Sequence, residues 1–387
     1  MPTTSLIPLT DEQRQIQQLA REFAERELAP HVVAWDRDAH FDRSIVGKLA
    51  EVGFLGMLVP PEQDGLGLDT PTYLAVIEEV AVVDAGTAVL LGVHNSLPSQ
   101  MLLRWGSDAQ RERYLRPMAR GEQLGAFALS EPEAGSDAAS LRCQAVRDGD
   151  GWVLSGTKAW VTNGDNADVI IVMARTDAAG DRRGARGISA FVVTPDLPGF
   201  RVGKKENKMG LRGSPTVQLA FEELRVPGDR LLGEAGEGFV YAMQSLDNGR
   251  LGVAAQAIGI ARAAFEHATR YAGERRQFGQ PLREFQAIQF KLADMATRIA
   301  QARALLYLTA TAKDRGERIT LYSSMAKLTA TETAMFVTDE AVQIFGGYGY
   351  VKDYPVERFL RDAKVTEIYE GTSEIQRVVI GRELYNS

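Results

Sequence analysis

The sequence predicts an α+β protein with several domains, in which two helical regions flank a small antiparallel β-barrel domain. Three observations lead to this fold class. The chain has 387 residues, enough for about two or three domains. Apolar residues recur at helical spacing before Gly121 and again after Gly238. Between these regions, short β-forming runs alternate with turn-rich segments, and no helical pattern separates them.

The N-terminal region begins with a helix start signal. Thr10 to Gln13 has the form of an N-cap with a capping box. The apolar residues that follow have helical spacing: Ile16, Leu19, Ala20 and Phe23. Three more stretches have helical character: 44–52, 72–83 and 108–119. The Pro- and Gly-rich segment 60–67 indicates a loop. We therefore assign residues 1–123 to an N-terminal α-helical domain.

Short runs typical of strands occupy the middle region: 125–129, 152–155, 169–173, 188–193 and 216–221. Turn-rich pieces at 147–151 and 177–187 separate some of them. Strands that follow one another without helices favour a small antiparallel sheet or barrel over a parallel α/β sheet. The predicted β domain covers residues 124–235.

Two long helical faces characterise the C-terminal region. The first consists of Phe285, Ile288, Leu292, Met295, Ile299, Ala302 and Leu306. The second consists of Met325, Leu328, Met335, Val342 and Phe345. Long amphipathic helices with short connections predict a four-helix bundle, which we place at residues 236–387.

Composition and charge exclude several functional classes. The chain has 44 Lys and Arg against 51 Asp and Glu, and the net charge of −7 disfavours nucleic-acid binding. Cys143 is the only cysteine, which excludes an internal disulfide and a cysteine-ligated cluster. The four histidines are too far apart for a zinc-binding helix, so no metal is expected. No apolar stretch approaches the roughly 20 residues of a membrane span, and residues 1–9 lack the features of a signal peptide. We expect a soluble protein of a reducing compartment.

Two glycine-containing segments fail as nucleotide-binding loops. Gly65 and Gly67 lack the third glycine of a dinucleotide fingerprint, and no strand precedes them. In segment 151–158, Thr157 precedes Lys158, which is the reverse of the P-loop order. We interpret both segments as turns.

Three other segments have residue types suited to a binding site. In 127–137, a strand runs into a loop of small and hydroxyl residues, whose backbone N–H groups suit an acceptor-rich ligand. In 158–164, Trp160 stands beside hydroxyl and amide residues that suit a planar heterocycle. In 361–377, Gly371 interrupts a helix and Thr372 or Ser373 can cap a new one. Glu370 at that junction can point into a cleft. Each segment alone also fits a simpler interpretation: a strand-end turn, a core tryptophan and a solvated glutamate.

Taken together, these segments resemble those of the flavin-dependent acyl-CoA dehydrogenases, most closely the short-chain (butyryl-CoA) branch. Four further motifs carry the same resemblance: 204–214, 246–250, 274–279 and 343–350. All seven occur in the family's order over nearly the whole chain. The resemblance implies a fold with helical, β and helical domains, which agrees with the pattern described above.

The resemblance implies the oxidation of a short- to medium-chain acyl-CoA thioester to the trans-2-enoyl-CoA with FAD as the cofactor. In such enzymes a carboxylate removes the α-proton while the β-hydrogen leaves as hydride to flavin N5. By resemblance Glu370 is this base, and its backbone N–H and a ribityl hydroxyl of the flavin hold the thioester oxygen. A branch of the family has its base near residues 246–251, where Gly249 aligns in this chain and cannot act as a base. A buried site is expected to raise the pKa of Glu370.

The resemblance also implies binding residues and partners. Seventeen residues are expected to bind FAD, and some of them are expected to reach the FAD of a neighbouring subunit. They are Phe127, Leu129, Ser130, Gly135, Ser136, Trp160, Val161, Thr162, Arg275, Phe278, Gln286, Gln343, Ile344, Gly346, Gly347, Thr372 and Glu374. Expected at the acyl-CoA are Ser136, Asp247, Arg250, Tyr369, Glu370 and Gly371. Because subunits share FAD sites in such relatives, a homotetramer is expected, with an electron-transferring flavoprotein as electron acceptor. The start of the chain fits a bacterial cytoplasmic enzyme, or one of the mitochondrial matrix if the chain is a processed form.

Other functions stay open at this point. An oxidase or a branched-chain acyl-CoA dehydrogenase would differ in oxygen access or in the acyl pocket. A non-catalytic, DNA-associated flavoprotein of the same fold would need a basic groove and no carboxylate, which the net charge of −7 and Glu370 disfavour. A purely structural helical protein would leave the Trp160 and Glu370 motifs unexplained. Similarity to the short-chain branch favours an acyl group of about four carbons, in fatty-acid β-oxidation or amino-acid catabolism.

Overall fold

Helices come first along the chain, a β-sheet follows, and helices return. The computed structural model describes Ile7 and residues 9–176 and 184–385. Most of the N-terminal stretch in which no signal peptide is expected, and part of the predicted turn at 177–187, therefore lie outside the described residues. The helical, β and helical order confirms the predicted fold class. The domain boundaries at 123/124 and 235/236 stay a prediction.

The N-terminal helices begin with the predicted capping box. The Thr10 hydroxyl accepts a hydrogen bond from the Gln13 N–H, and the Gln13 side chain accepts one from the Thr10 N–H. The α-helices of this region are α1 (Asp11–Phe23), α2 (Val32–Asp38), α3 (Ser44–Glu51), α4 (Thr70–Val83), α5 (Ala85–Ser96), α6 (Pro98–Trp105), α7 (Asp108–Gln110) and α8 (Arg116–Ala119). The sequence analysis missed α5, because this helix is buried on nearly all sides and has no amphipathic pattern.

The main sheet has more strands than the sequence indicated. They are β1 (Gly125–Ala128), β2 (Gln144–Asp148), β3 (Gly151–Thr162), β4 (Val169–Arg175), β5 (Ile188–Val193), β6 (Phe200–Lys205), β7 (Thr216–Val226) and β8 (Leu231–Leu232). The strand order is β6-β7-β3-β2-β4-β5-β8, and β1 pairs with β4. A single residue pair, Gln144 with Arg175, joins β2 to β4.

The predicted middle β domain is confirmed, and its strand pairing differs from that of an antiparallel barrel in two respects. Both β1 and β2 run parallel to β4, so the sheet is mixed. Among the described residues, the strand pairing follows an open path and closes no ring. The parallel partner could not be predicted because the long connection from β1 to β4 contains the β2–β3 hairpin, and local patterns do not show the direction in which the chain returns.

Strands β4 and β5 are buried on both faces, which explains their continuous apolar sequences. Ile170, Val172 and Phe191 face a core shared with β3 and β7. On the other face, Ile171 and Val192 pack against helical residues of the N-terminal region. The sheet is thereby fixed to the helices.

The C-terminal region contains the long helices that the sequence predicts. They are α9 (Gly238–Glu274), α10 (Gln286–Asp314), α11 (Thr320–Phe345), α12 (Val356–Thr366) and α13 (Ser373–Leu384), with a small hairpin of β9 (Arg276–Gln277) and β10 (Gln280–Pro281) before α10. Helices α9 to α12 form the four-helix bundle, and α13 adds a fifth helix against α11. Helix α9 also packs on α4 and α5, so both helical regions share one core. Within the described part of the chain, no helix is long and apolar enough to cross a membrane.

One junction joins the sheet to both helical regions. The N–H of Leu211 donates to the buried Asp362 carboxylate on α12 at 2.6 Å. The neighbouring Arg361 binds both carboxylate oxygens of Asp36 at 3.0 and 2.7 Å, and the carbonyl of Met209 at 3.0 Å. Burial raises the pKa of Asp362 to about 7. Because α12 leads directly to Glu370, this junction fixes the sheet relative to that residue.

Candidate active site

Glu370 lies in the turn that joins α12 to α13. It has a positive φ of 53°, and Gly371 follows with a φ of +94°. A glutamate in this left-handed region is strained, and such strain is common at functional sites. Thr372 then caps α13, its side chain accepting from the N–H of Ile375 at 3.3 Å. The helix interruption at Gly371 and the cap at Thr372 confirm the sequence-based expectation.

The carboxylate of Glu370 has one buried oxygen without a partner. Its Oε2 is inaccessible to solvent and makes no hydrogen bond. It lies against Gly249 of α9, where a Cβ atom would stand only 2.1 Å from Oε2. Burial raises the pKa of Glu370 to about 7, and the positive charges of Lys327 and Arg250 partly offset that effect. A raised pKa is expected for a glutamate that acts as a general base near neutral pH.

The backbone around Glu370 is held through its carbonyl groups. Lys327 Nζ donates to the carbonyl of Gly371 at 2.7 Å. Gln376 Nε2 donates to the carbonyls of Glu370 and Gly371 at 3.2 and 2.9 Å. In contrast, the N–H of Glu370 donates to no group among the described residues. This N–H is therefore free to bind an oxygen of a ligand.

Tyrosines close one side of the space next to Glu370. The Tyr369 hydroxyl donates to Gln256 Oε1, and Gln256 Nε2 donates to the carbonyl of Ala85 at 2.8 Å. The buried Tyr73 hydroxyl lies next to Gly252, 3.0 Å from where a Cβ atom would stand. Burial raises the pKa of both tyrosines, so both stay neutral. Tyr369 is thus part of the wall of the site.

Asp247 and Arg250 form a buried pair between α9 and α11. Arg250 Nη1 contacts Asp247 Oδ1 at 2.6 Å and Ser324 Oγ at 3.2 Å. Thr320 Oγ1 donates to the second oxygen of Asp247 at 2.8 Å. Arg250 is close enough to Glu370 to influence its pKa. The two residues that we expected at the acyl-CoA therefore lie in the same region as Glu370.

Trp160 is exposed at a bulge in β3, and the interpretation as a core residue was wrong. The pairing of β3 with β7 shifts register between Lys158 and Val161, and Trp160 in between has a φ of 61°. Bulges of this kind redirect side chains and occur next to active sites. The indole is 62% exposed, whereas the neighbouring Val161 is buried. A large flat apolar surface is thus presented outward at a strained position.

A buried ion pair connects this bulge to the loop after β1. Lys158 Nζ contacts Glu131 Oε1 at 2.7 Å and the carbonyl of Leu129 at 2.9 Å. The carbonyl of Ser130 accepts from the N–H of Ala159 at 2.9 Å. The sequence analysis missed Lys158 and Glu131, although both lie inside the quoted motifs. Two opposite charges flanked by small and apolar residues were the signal that could have identified them.

The expected FAD residues lie in distinct places. One group surrounds the bulge and the loop after β1: Phe127, Leu129, Ser130, Gly135, Ser136, Trp160, Val161 and Thr162. A second lies in the turn after α12 and the start of α13: Thr372 and Glu374. A third lies at the β9–β10 hairpin and the adjoining ends of α10 and α11: Arg275, Phe278, Gln286, Gln343, Ile344, Gly346 and Gly347.

The third group is remote from Glu370 within one chain. Gly249 contacts Glu370, whereas Arg275 follows the far end of the same helix, about 39 Å away at 1.5 Å per residue. Phe278 at the hairpin tip is 93% exposed and has a φ of 51°. The structure therefore does not bring this group to Glu370.

The residues near Glu370 and Trp160 fit a bound flavin. The exposed indole offers a stacking surface for a planar ring, and the unpartnered N–H of Glu370 suits an acceptor. Among the described residues, no three His, Cys, Asp or Glu side chains cluster as a metal site would require. The described residues thus offer one carboxylate oxygen and one N–H at Glu370 without partners, and one exposed aromatic face at Trp160.

Comparison with known proteins shows similarity over the whole length. Three acyl-CoA dehydrogenase family profiles match: the N-terminal domain at residues 10–122, the middle domain at 126–224 and the C-terminal domain at 236–385. The chain is 47% identical over 381 residues to the mitochondrial short-chain specific acyl-CoA dehydrogenase of Mus musculus, covering 98% of this chain and 92% of that protein.

Solved structures give the same result. Butyryl-CoA dehydrogenase from Megasphaera elsdenii has a TM-score of 0.95 and 45% identity, covering 97% of this chain and 99% of that chain. A chain from a structure described for the electron transferring flavoprotein of Acidaminococcus fermentans has a TM-score of 0.96 and 46% identity, with 100% of both chains covered.

Proposed function

Because the chain belongs to the acyl-CoA dehydrogenase family, we propose that it oxidises a short-chain acyl-CoA thioester to the trans-2-enoyl-CoA. One observation carries this proposal. Glu370 presents a buried carboxylate oxygen and a backbone N–H, and neither has a hydrogen-bond partner among the residues that the structure describes. A base and an oxyanion donor are the two groups that removal of a proton next to a carbonyl requires.

The roles of the chain's own atoms follow from this arrangement. The N–H of Glu370 binds the thioester oxygen and stabilises the negative charge that develops there. The carboxylate of Glu370 accepts the proton from the α-carbon. A pKa of about 7 makes this carboxylate more basic than an ordinary glutamate, while part of it stays ionised at neutral pH. When bound, FAD supplies the acceptor for the β-hydrogen.

We assign the FAD to the exposed face of Trp160 and to the loop after β1, which Lys158 and Glu131 hold rigidly. Residues of the β9–β10 hairpin would reach the FAD of a neighbouring subunit, since their own Glu370 lies about 39 Å away. This sharing supports the proposed homotetramer. The proposed electron acceptor is an electron-transferring flavoprotein, and the proposed setting is fatty-acid or amino-acid catabolism in the bacterial cytoplasm.

The substrate class is proposed from the wall of the site. Tyr73, Gln256 and Tyr369 close the space beside Glu370 with bulky groups, two of which are hydrogen bonded to each other. Such a wall favours a short acyl group. A branched-chain acyl-CoA is the alternative substrate class, and the titration below distinguishes it from a straight short chain.

Anaerobic titration of the purified holoenzyme tests the proposal. Butyryl-CoA should bleach the visible flavin band and yield crotonyl-CoA, and isobutyryl-CoA should bleach it if the branched-chain alternative holds. Glu370→Gln should retain the flavin but lose at least about 10²- to 10⁴-fold in the rate of bleaching, the usual contribution of a general base. Near-normal bleaching by this variant would remove Glu370 from the mechanism. Hydrogen peroxide formation in air at the rate of turnover would indicate an oxidase.

A further inference from the structure

We propose that Lys327 is a positioning residue for Glu370: it holds the turn that carries the carboxylate and keeps a positive charge near it. Lys327 lies on α11 and is fully buried, with 0% of its surface exposed. Its role is argued from its contacts and rests on the proposed function, in which Glu370 is the base.

The first part of the role is mechanical. Lys327 Nζ donates to the carbonyl of Gly371 at 2.7 Å. Glu370 and Gly371 are both left-handed, with φ values of 53° and 94°. Glycine adopts a positive φ freely, whereas a glutamate in this region persists only where the surroundings hold it. The bond from Lys327 ties this turn to α11, and in the same turn the N–H of Glu370 has no partner among the described residues.

The second part of the role is electrostatic. Among the described residues, Lys327 has no carboxylate within the 4.0 Å of an ion pair, whereas the buried Lys158 contacts Glu131 at 2.7 Å. A buried ammonium group without such a partner is costly, and an apolar side chain would pack at α11 more easily. The charge of Lys327 favours the ionised form of Glu370 without binding its oxygens. The carboxylate therefore stays free to accept a proton.

Other charged groups face the same space, and they are already paired or distant. From α9, Arg250 also favours the ionised form of Glu370, but it is bound to Asp247. From the turn and α13, Glu367 and Glu374 act on Lys327. From α4, the Tyr73 hydroxyl is neutral because burial raises its pKa. Burial lowers the pKa of Lys327 to about 8, so the ammonium form dominates at neutral pH.

The test compares Lys327→Met with the wild-type holoenzyme. Without the ammonium group, the pKa of Glu370 should rise by about 1 pH unit, the lower end of the effect of one nearby charge. The midpoint of the acid limb in the pH profile of kcat/KM should move to higher pH by the same amount. As a result, kcat/KM at pH 7 should fall by about fivefold. The difference should vanish above about pH 9, because Glu370 is then ionised in both proteins.

A second readout is independent of turnover. Amide hydrogen exchange of peptides covering residues 367–372 should speed up in Lys327→Met and stay unchanged in the rest of α12 and α13. Lys313→Met is the matched control: this half-buried lysine of α10 donates to Thr70 Oγ1 at 3.1 Å, away from Glu370. The control should alter neither the acid limb nor the exchange of residues 367–372.

The outcomes separate this proposal from the proposed function. If acyl-CoA does not bleach the wild-type flavin, the proposed function fails, while hydrogen exchange still decides whether Lys327 holds the turn. Unchanged exchange at 367–372 together with an unchanged acid limb would overturn the role of Lys327. If Lys327→Met does not fold, Lys327→Gln decides: it keeps an N–H donor but no charge, and an acid limb identical to the wild type refutes the electrostatic role.

Discussion

Gly249 and Glu370 are in direct contact, since a Cβ atom at position 249 would stand 2.1 Å from Glu370 Oε2. Helix α9 thus lacks a side chain at the point where the carboxylate lies against it. The three atoms nearest to that Cβ position all belong to the end of the Glu370 side chain, which is flexible. An added methyl group can therefore be accommodated by rotation of the carboxylate. A substitution at position 249 should therefore change the position of the Glu370 carboxylate more than the free energy of unfolding.

Gly249→Ala should accordingly fold and retain flavin but lose activity. A displacement of a reacting group by about 1 Å costs on the order of 10²-fold in rate, and we expect a loss of this size in the rate of flavin reduction. Stopped-flow measurement of that step with butyryl-CoA gives the comparison. Gly381→Ala on α13 is the matched control, because nothing lies within 4 Å of its added Cβ atom. Wild-type rates in Gly249→Ala would show that the carboxylate is not used in this position.

The pH dependence of kcat/KM should show an acid limb with its midpoint near pH 7. Glu370 must be ionised to accept a proton, and burial raises its pKa to about 7. Activity therefore rises as the pH increases through this value. The profile should be measured on the holoenzyme with saturating electron acceptor. An acid limb near pH 4.5, the ordinary value for a glutamate, would mean that Glu370 is solvated in the working enzyme.

Trp160→Ala should weaken retention of the flavin without destabilising the apoprotein. The indole is 62% exposed, so its removal takes little apolar surface from the core. The loss of a stacking surface should raise the Kd for FAD by about tenfold, as measured by fluorescence titration. Tyr385→Ala removes an aromatic residue at the C-terminal end that is even more exposed, at 91%, and serves as the control. Equal Kd values in both variants would limit Trp160 to packing.

Lys158→Met should destabilise the β domain, because it leaves Glu131 buried and unpaired. Removal of one partner from a buried ion pair typically costs about 3–5 kcal/mol. The double variant Lys158→Met with Glu131→Gln should recover most of this loss, since the glutamine oxygen can still accept from the N–H of Cys143. Urea denaturation of all variants measures the difference. A double variant no more stable than the single one would show that the charge of Glu131 is not the cause.

Glu370→Gln should stabilise the apoprotein at alkaline pH. The pKa of Glu370 is raised from 4.5 to about 7 in the folded chain, so the unfolded chain loses its proton first as the pH rises. Ionised Glu370 therefore lowers stability progressively between about pH 4.5 and 7, and fully above that. The apparent Tm of the variant should exceed that of the wild type at pH 8 and equal it at pH 4. A lower Tm at pH 8 would contradict this account.

Local signals in the sequence predicted local structure well. The capping box at Thr10, the helix interruption at Gly371 and the cap at Thr372 are each specified within a few residues, and the structure contains all three. The resemblance to a family singled out Glu370, and the structure gives its carboxylate a buried, unpartnered oxygen. The binding roles stay predictions.

Features that depend on residues far apart in the chain could not be predicted from the sequence. Lys158 pairs with Glu131 across 27 positions, and Lys327 binds Gly371 across 44. The small and apolar neighbours of Lys158 indicate burial, but nothing in the local sequence shows the distant partner of either lysine. Strand β1 pairs in parallel with β4. The alternation of polar and apolar residues along a strand does not show whether the neighbouring strand runs parallel or antiparallel to it. The exposure of Trp160 depends on a bulge, which local propensity does not reveal.

The left-handed backbone at Trp160 and Glu370 has a consequence for how this gene tolerates mutation. A tryptophan codon becomes a glycine codon by one base change, and so does a glutamate codon. Glycine is the residue that a positive φ favours, so both replacements relieve strain in the folded chain. The relief of strain offsets the entropy that a glycine adds to the unfolded chain, so a single step can remove the indole or the carboxylate at little cost in stability. A library sorted only for expression or thermal stability would tolerate these two variants, whereas selection for flavin retention or for turnover would eliminate them.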